Sequence, residues 1–161
     1  MKSICCAIPL LFTSLANAHD IEWRHTFHLT QSSSFDVPDR SGHVVSVGEG
    51  TGLGFFPEGE VATMKLTYSV DFIKSEGTFT AYETYRFPSG STISVQRIGS
   101  TTVDPTTKVS TLSGNFKFVA GSGVYEGISG GGTFIGKRLN PLAAGADQYL
   151  DYKGSYEFTK K

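Results

Sequence analysis

The sequence predicts an all-β chain folded as an eight-stranded antiparallel barrel, and three observations carry that expectation. Apolar and polar residues alternate with period two in stretch after stretch beyond residue 19, as strands with one dry and one wet face require. Short clusters of Gly, Pro, Ser and Asp punctuate these stretches, as hairpin turns would. Twelve Phe and seven Tyr stand among abundant Thr, Val, Ser and Gly, a strand-forming composition without any long helix-forming run. Only Leu139 to Asp147, with its Ala143-Ala144 pair, has the makings of a helical turn.

The first eighteen residues stand apart from this pattern. Met1-Lys2-Ser3 leads into apolar Ile4 to Phe12 and on to Ala16-Asn17-Ala18, the basic end, apolar run and small-x-small site of a secretory signal peptide. Residues 1–18 are therefore expected to be cleaved, leaving a secreted or periplasmic protein that is a single domain over residues 19–161. Cys5 and Cys6, the only cysteines, leave with the leader, so packing and hydrogen-bond ladders must supply the stability that disulfides often give small exported proteins. Without Lys2, thirteen basic side chains face fifteen acidic ones. That balance excludes nucleic acid as the main partner, since phosphate binding needs clustered positive charge. No amphipathic basic stretch points to a membrane surface after cleavage.

The strands follow in order. Trp23, His25, Phe27 and Leu29 share one face of the first, and a Ser-rich stretch from Ser32 to Ser34, with Pro38 to Gly42, reads as a loop. The second starts at His43 and puts Val45, Val47, Glu49, Thr51, Leu53 and Phe55 on one face; Gly48, Gly50, Gly52 and Gly54 share the other, a spacing that suggests bending or close backbone approach. Pro57-Glu58-Gly59 turns the chain into the third, where Ala62, Met64, Leu66, Tyr68, Val70 and Phe72 alternate with polar residues. Ser75-Glu76-Gly77 leads to the fourth, with Phe79, Ala81, Glu83, Tyr85 and Phe87 in phase, and Pro88-Ser89-Gly90 to the fifth, with Ile93, Val95 and Arg97. The sixth carries Leu112, Gly114, Phe116 and Phe118; the seventh spans about Gly132 to Leu139; the eighth aligns Leu150, Tyr152, Gly154, Tyr156 and Phe158. Short sequential turns favour a meander that closes on itself and so loses its edges, with a two-layer sandwich as the competing architecture. Eight strands enclose either a packed core or one small ligand.

One segment carries a family likeness. Ser113 to Val119 is followed by Gly121-Ser122-Gly123-Val124-Tyr125-Glu126-Gly127-Ile128 and then Ser129-Gly130-Gly131-Gly132-Thr133-Phe134-Ile135-Gly136. A strand, a glycine-rich bend holding an aromatic and a glycine-flanked strand resemble the late hairpin of allene oxide cyclase-type barrels and the related dirigent proteins. The segment also resembles exported bacterial proteins of unassigned function with the same Gly-x-Gly-x-aromatic-x-Gly-Ile pattern. The likeness is specific over about 24 residues. It implies a calycin-like, allene oxide cyclase-like barrel with a cavity for a hydrophobic small molecule, often as a homo-oligomer in the plant proteins. It carries over no catalytic residue. The same glycines do not make phosphate loops, because no helix and no Gly-Lys-Ser or Gly-Lys-Thr follows them.

Charge on otherwise apolar faces supplies the candidate chemistry. Glu49 and Glu83 are in phase with apolar neighbours, as are Arg97 and His25. An ion taken out of water must pair, reach the barrel mouth or serve a ligand. Two carboxyl groups in one cavity would raise each other's pKa, and a carboxylic acid so tuned can move a proton near neutral pH, which makes Glu49 and Glu83 the catalytic candidates. Mutual pairing of Glu83 with Arg97 across adjacent strands, and a surface position for Glu49, are the structural alternatives. Trp23, His25, Phe27, Phe79, Tyr85, Arg97 and Phe116 are expected to line a ligand, with Arg97 suited to holding a carboxylate by two parallel hydrogen bonds. No zinc-like ligand spacing, calcium loop, serine elbow or cofactor motif is present, so any chemistry is expected to run without cofactor or metal. The resulting expectation is an exported barrel binding a small hydrophobic molecule, with a cofactor-independent isomerase or cyclase as its enzymatic version. A non-catalytic structural or interaction protein with a filled barrel is the alternative.

Overall fold

The computed structural model describes residues 18–140 and 147–159. The leader reading therefore concerns residues almost wholly outside the described ones, and so does most of the helical turn expected between Leu139 and Asp147. From His19 onward the chain is one closed antiparallel barrel of eight strands in sequence order. They are β1 (His19–Asp36), β2 (His43–Phe55), β3 (Val61–Ile73), β4 (Glu76–Arg86), β5 (Thr92–Val103), β6 (Ser110–Ser122), β7 (Ile128–Arg138) and β8 (Gln148–Phe158). Closure comes from the first half of β1 pairing with β8, from His19 opposite Tyr156 to Phe27 opposite Gln148. This pairing removes the sheet edges that a sandwich would leave, so the sandwich alternative falls.

Three details depart from the sequence reading. First, the Ser-rich stretch is strand: β1 continues to Asp36, pairing Ser33 with Val47 and Phe35 with Val45 after a register shift between Leu29 and Gln31. Hydroxyl contacts give these small residues their place, with Ser34 Oγ 2.7 Å from Ser46 Oγ and the Tyr68 hydroxyl donating to Ser32 Oγ at 2.9 Å. Second, the turn between β3 and β4 is Lys74-Ser75, one residue earlier than expected, with both residues at positive φ (53° and 72°). Two such residues give a turn whose twist matches the flanking strands, here without the usual Asn-Gly pair.

Third, β2 presents the opposite face to the interior. Val47, Leu53 and Phe55 are exposed, Glu49 points to solvent, and Gly50 and Gly54 are buried. The reason is volume. A Cβ at Gly54 would lie 2.8 Å from the Tyr85 ring and 2.9 Å from Phe56, and one at Gly48 would lie 2.7 Å from the Tyr68 hydroxyl. The wall is bare there because the rings of Tyr68 from β3, Tyr85 from β4 and nearby Phe56 already fill the space. Since side chains alternate with period two, placing the glycines inside puts Val47, Glu49, Thr51, Leu53 and Phe55 outside.

Candidate functional site

The interior divides into a packed half and an open half. Trp23 anchors the packed half. It stacks on Tyr152 at 4.3 Å between ring centroids and on Phe56 at 5.6 Å, and it meets the edge of Phe116 at 5.0 Å. Phe87 continues the stack to Tyr125, which ends a short 3-10 turn at Gly123–Tyr125. Offset and edge-to-face aromatic contacts of this kind add to area burial and leave little free volume. Trp23, Tyr85 and Phe116 therefore pack against other rings, and none of the three lines the cavity described below.

A polar layer floors the open half. The Arg97 Nε lies 2.6 Å from Glu83 Oε1 between adjacent strands, with both side chains buried. The N–H points off that line, so the contact is a close ion pair without a well-formed hydrogen bond. Glu83 Oε2 accepts from the hydroxyls of Tyr85 and Tyr152, each at 2.8 Å. His25 Nδ1 lies 2.7 Å from the Tyr85 hydroxyl. Because the single Tyr85 proton goes to Glu83, the network assigns the His25 proton to Nδ1 and leaves Nε2 bare, without a partner.

The charge states follow. Burial pushes the Glu83 carboxyl up, but Arg97 and the two tyrosine hydroxyls outweigh it and hold the group below its ordinary value. Burial likewise works against the charge on Arg97, and the Glu83 carboxylate more than restores it. Burial lowers the His25 imidazole from 6.5 to about 4, so it is neutral at pH 7. Burial, followed by the Glu83 charge, keeps both tyrosines protonated. The layer is thus one anion, one cation and three neutral groups. Phe27, Phe79 and Phe134 surround the guanidinium, with its carbon 5.1–5.6 Å from their ring centroids.

Beyond this floor lies a cavity of ≈ 30 Å³, about two waters' worth of room. Phe27, Leu29, Leu66, Phe72, Phe79 and Leu112 give it apolar walls, and Arg97, Thr101, Arg138 and Gln148 supply polar groups. Arg138 closes β7 between Ser110 on β6 and Gln148 on β8. It is 5% exposed, its Nη2 donates to Ser110 Oγ at 3.1 Å, and its Nε has no partner among the described residues. Thr101 Oγ1, Gln148 Oε1 and Arg97 Nη1 are also buried without partners among the described residues. Native interiors seldom leave such groups unanswered.

Of the residues singled out in the sequence, His25, Glu83, Tyr85 and Arg97 meet in the floor, while Phe27 and Phe79 join Arg97 in the cavity wall. Glu49 does not join them: its side chain is on the outer surface, and the paired-carboxylate arrangement with Glu83 does not form. Arg138, Thr101, Gln148 and Tyr152 went unrecognised as site residues. Period two carried the signal for all four. Arg138 is in phase with Phe134, Thr101 with Arg97, and Gln148 with Leu150 and Tyr152. Among the described residues, no group of three His, Cys, Asp or Glu side chains is placed to hold a metal ion.

No family model and no curated protein matches the chain. Among solved structures, the pterocarpan synthase dirigent protein GePTS1 is similar over 96% of this chain and 98% of its own, with a TM-score of 0.52 and 13% identity. The pterocarpan synthase dirigent protein PsPTS1 gives a TM-score of 0.48 over 90% of this chain and 97% of its own, at 15% identity. At such identities the likeness concerns the fold, a dirigent-like β-barrel.

Proposed function

We propose that the protein binds a small, largely apolar molecule in the open half of its barrel, over the Arg97 floor. The observation that carries this reading is the cavity itself, apolar on its walls yet edged by four buried polar atoms without partners among the described residues. Concave apolar sites with a few convergent polar groups are the usual form of small-molecule sites. The structural neighbour is named for a small-molecule product, a precedent that points the same way. The export reading of residues 1–18 would place this binding outside the cytoplasm.

Binding without turnover fits the geometry better than the isomerase or cyclase version. Glu83 does not line the cavity, and its oxygens are engaged by Arg97, Tyr85 and Tyr152. A carboxylate held in this way is a poor proton acceptor. Its part in the proposal is that of a positioning residue, which fixes the Arg97 guanidinium beneath the ligand.

A filled-barrel scaffold is the second reading, favoured by the Trp23 stack and by a volume that admits a larger ligand only if Leu29, Leu66 or Leu112 yields. Native mass spectrometry of the purified protein separates the two. The binding reading expects a retained small-molecule adduct that disappears in Leu112→Phe, a substitution that fills the cavity. A bare chain, together with no saturable response to 1-octanol in thermal unfolding, would leave the scaffold.

A further inference from the structure

One cation in the open half has no anion to answer it among the described residues. Glu83 and Arg97 cancel, and His25 is neutral, so Arg138 leaves the described interior with one excess positive charge. No ion pair reaches Arg138 among the described residues, and its hydrogen-bonded side-chain partner is the neutral Ser110 hydroxyl. Residues 1–17, 141–146 and 160–161 contain no Asp or Glu. Burying a guanidinium in this way works against folding, because a charge out of water is tolerated when it is paired.

We infer that the bound molecule carries a single negative charge at one end, a carboxylate or a group of the same shape, held by Arg138 with help from Arg97 and Thr101. The inference rests on the open half being a ligand space, as proposed above. One negative charge neutralises the interior, whereas a dianion would leave it charged again. The cavity of ≈ 30 Å³ has room for about two waters, which suits the two oxygens of one carboxylate. Arginine offers a planar fork for such a pair of oxygens, which lysine does not. The unpartnered Oε1 of Gln148 is compatible with this, since a half-turn of its amide presents the NH₂ group instead. With the cavity filled by the carboxylate, the apolar remainder of the ligand would take space that Leu29, Leu66 or Leu112 gives up.

Calorimetric titration with octanoate, 1-octanol and acetate, on the wild type and Arg138→Gln, tests this. Octanoate should bind at least about tenfold more tightly than 1-octanol, and Arg138→Gln should erase that difference while leaving 1-octanol unchanged. The ligand-free variant should melt no lower than the wild type, because it has lost a charge that lacked an acid partner. Arg138→Lys should bind octanoate with intermediate affinity. Equal binding of octanoate and 1-octanol, indifferent to Arg138→Gln, would overturn the anionic head and leave the ligand space standing. Binding of neither would overturn the ligand space itself. Acetate binding as tightly as octanoate would identify a small free anion and overturn the apolar remainder. A fall in melting temperature for Arg138→Gln, with octanoate affinity kept, would make Arg138 structural.

Discussion

Replacing Glu83 with Gln tests the polar floor with little change of shape. Gln keeps a carbonyl oxygen to accept from Tyr85 and Tyr152, so the principal loss is the charge that faces Arg97 at 2.6 Å. Removing one partner of a buried ion pair typically costs 3–5 kcal/mol, because the survivor is left uncompensated. With the tyrosine contacts retained, the lower end applies, about 3 kcal/mol. For a domain of this size that loss corresponds to a melting temperature lower by about 10 °C, and it is a large share of the 5–15 kcal/mol that usually holds a domain together. Arg97→Met in the same background should recover a substantial part of the loss, since an apolar pair of similar volume needs no counter-charge; the cycle should show a coupling of about 2 kcal/mol. Urea unfolding reads this directly. Trp23, the only tryptophan, stacks on Tyr152, which donates to Glu83, so its fluorescence reports from beside the cluster. A Glu83→Gln loss below about 1 kcal/mol, or a double variant in which the two losses simply add, would refute the buried, mutually dependent pair.

Three further outcomes follow from the same geometry. Gly54→Ala should cost about 1–3 kcal/mol through overpacking against Tyr85 and Phe56, whereas Thr51→Ala on the outer face should stay within about 0.5 kcal/mol; equal effects in denaturant titrations would contradict the inward glycine face. As pH falls from 6.5 towards 4, the unfolded chain takes up a proton that buried His25 refuses, so stability should drop by about 3 kcal/mol across that window; His25→Asn should flatten this limb, and an unaltered slope would refute the neutral imidazole. His43 has the opposite sign: hydrogen bonds to Asp39 and Asp71 raise its pKa, so its contribution is fully present below 6.5 and lost as pH rises through the raised value. His43→Asn should remove that alkaline decline in thermal melts.

The barrel was legible because β3, β4 and β8 alternate cleanly and short turns join neighbours, information that is local in sequence. Glu83 and Arg97 were legible for the same reason: each is a charge in phase with residues that belong inside. The β2 face was not, since hydrophobic phase alone selects the valines and Leu53, while the volume of Tyr85 and Tyr68 arriving from β4 and β3 decides the matter. Glu49 was misplaced with that face. Arg138 escaped notice because it ends its strand next to Lys137, where a basic residue reads as ordinary solvent-facing charge; its isolation becomes visible only when β6 and β8 close over it. The division into packed and open halves depends on how rings from six strands meet, a long-range property that no single alternation pattern encodes.

One half of this barrel is proposed to receive a ligand, while the other half is plugged by its own aromatics. Methyl NMR during an octanoate titration addresses it most directly. Saturable shifts are expected at Leu29, Leu66, Val70 and Leu112, which line the cavity, with Ile93 and Val95 nearly still. Shifts confined to Leu53 and Leu139, which border an outer groove, or spread evenly over both halves, would contradict it.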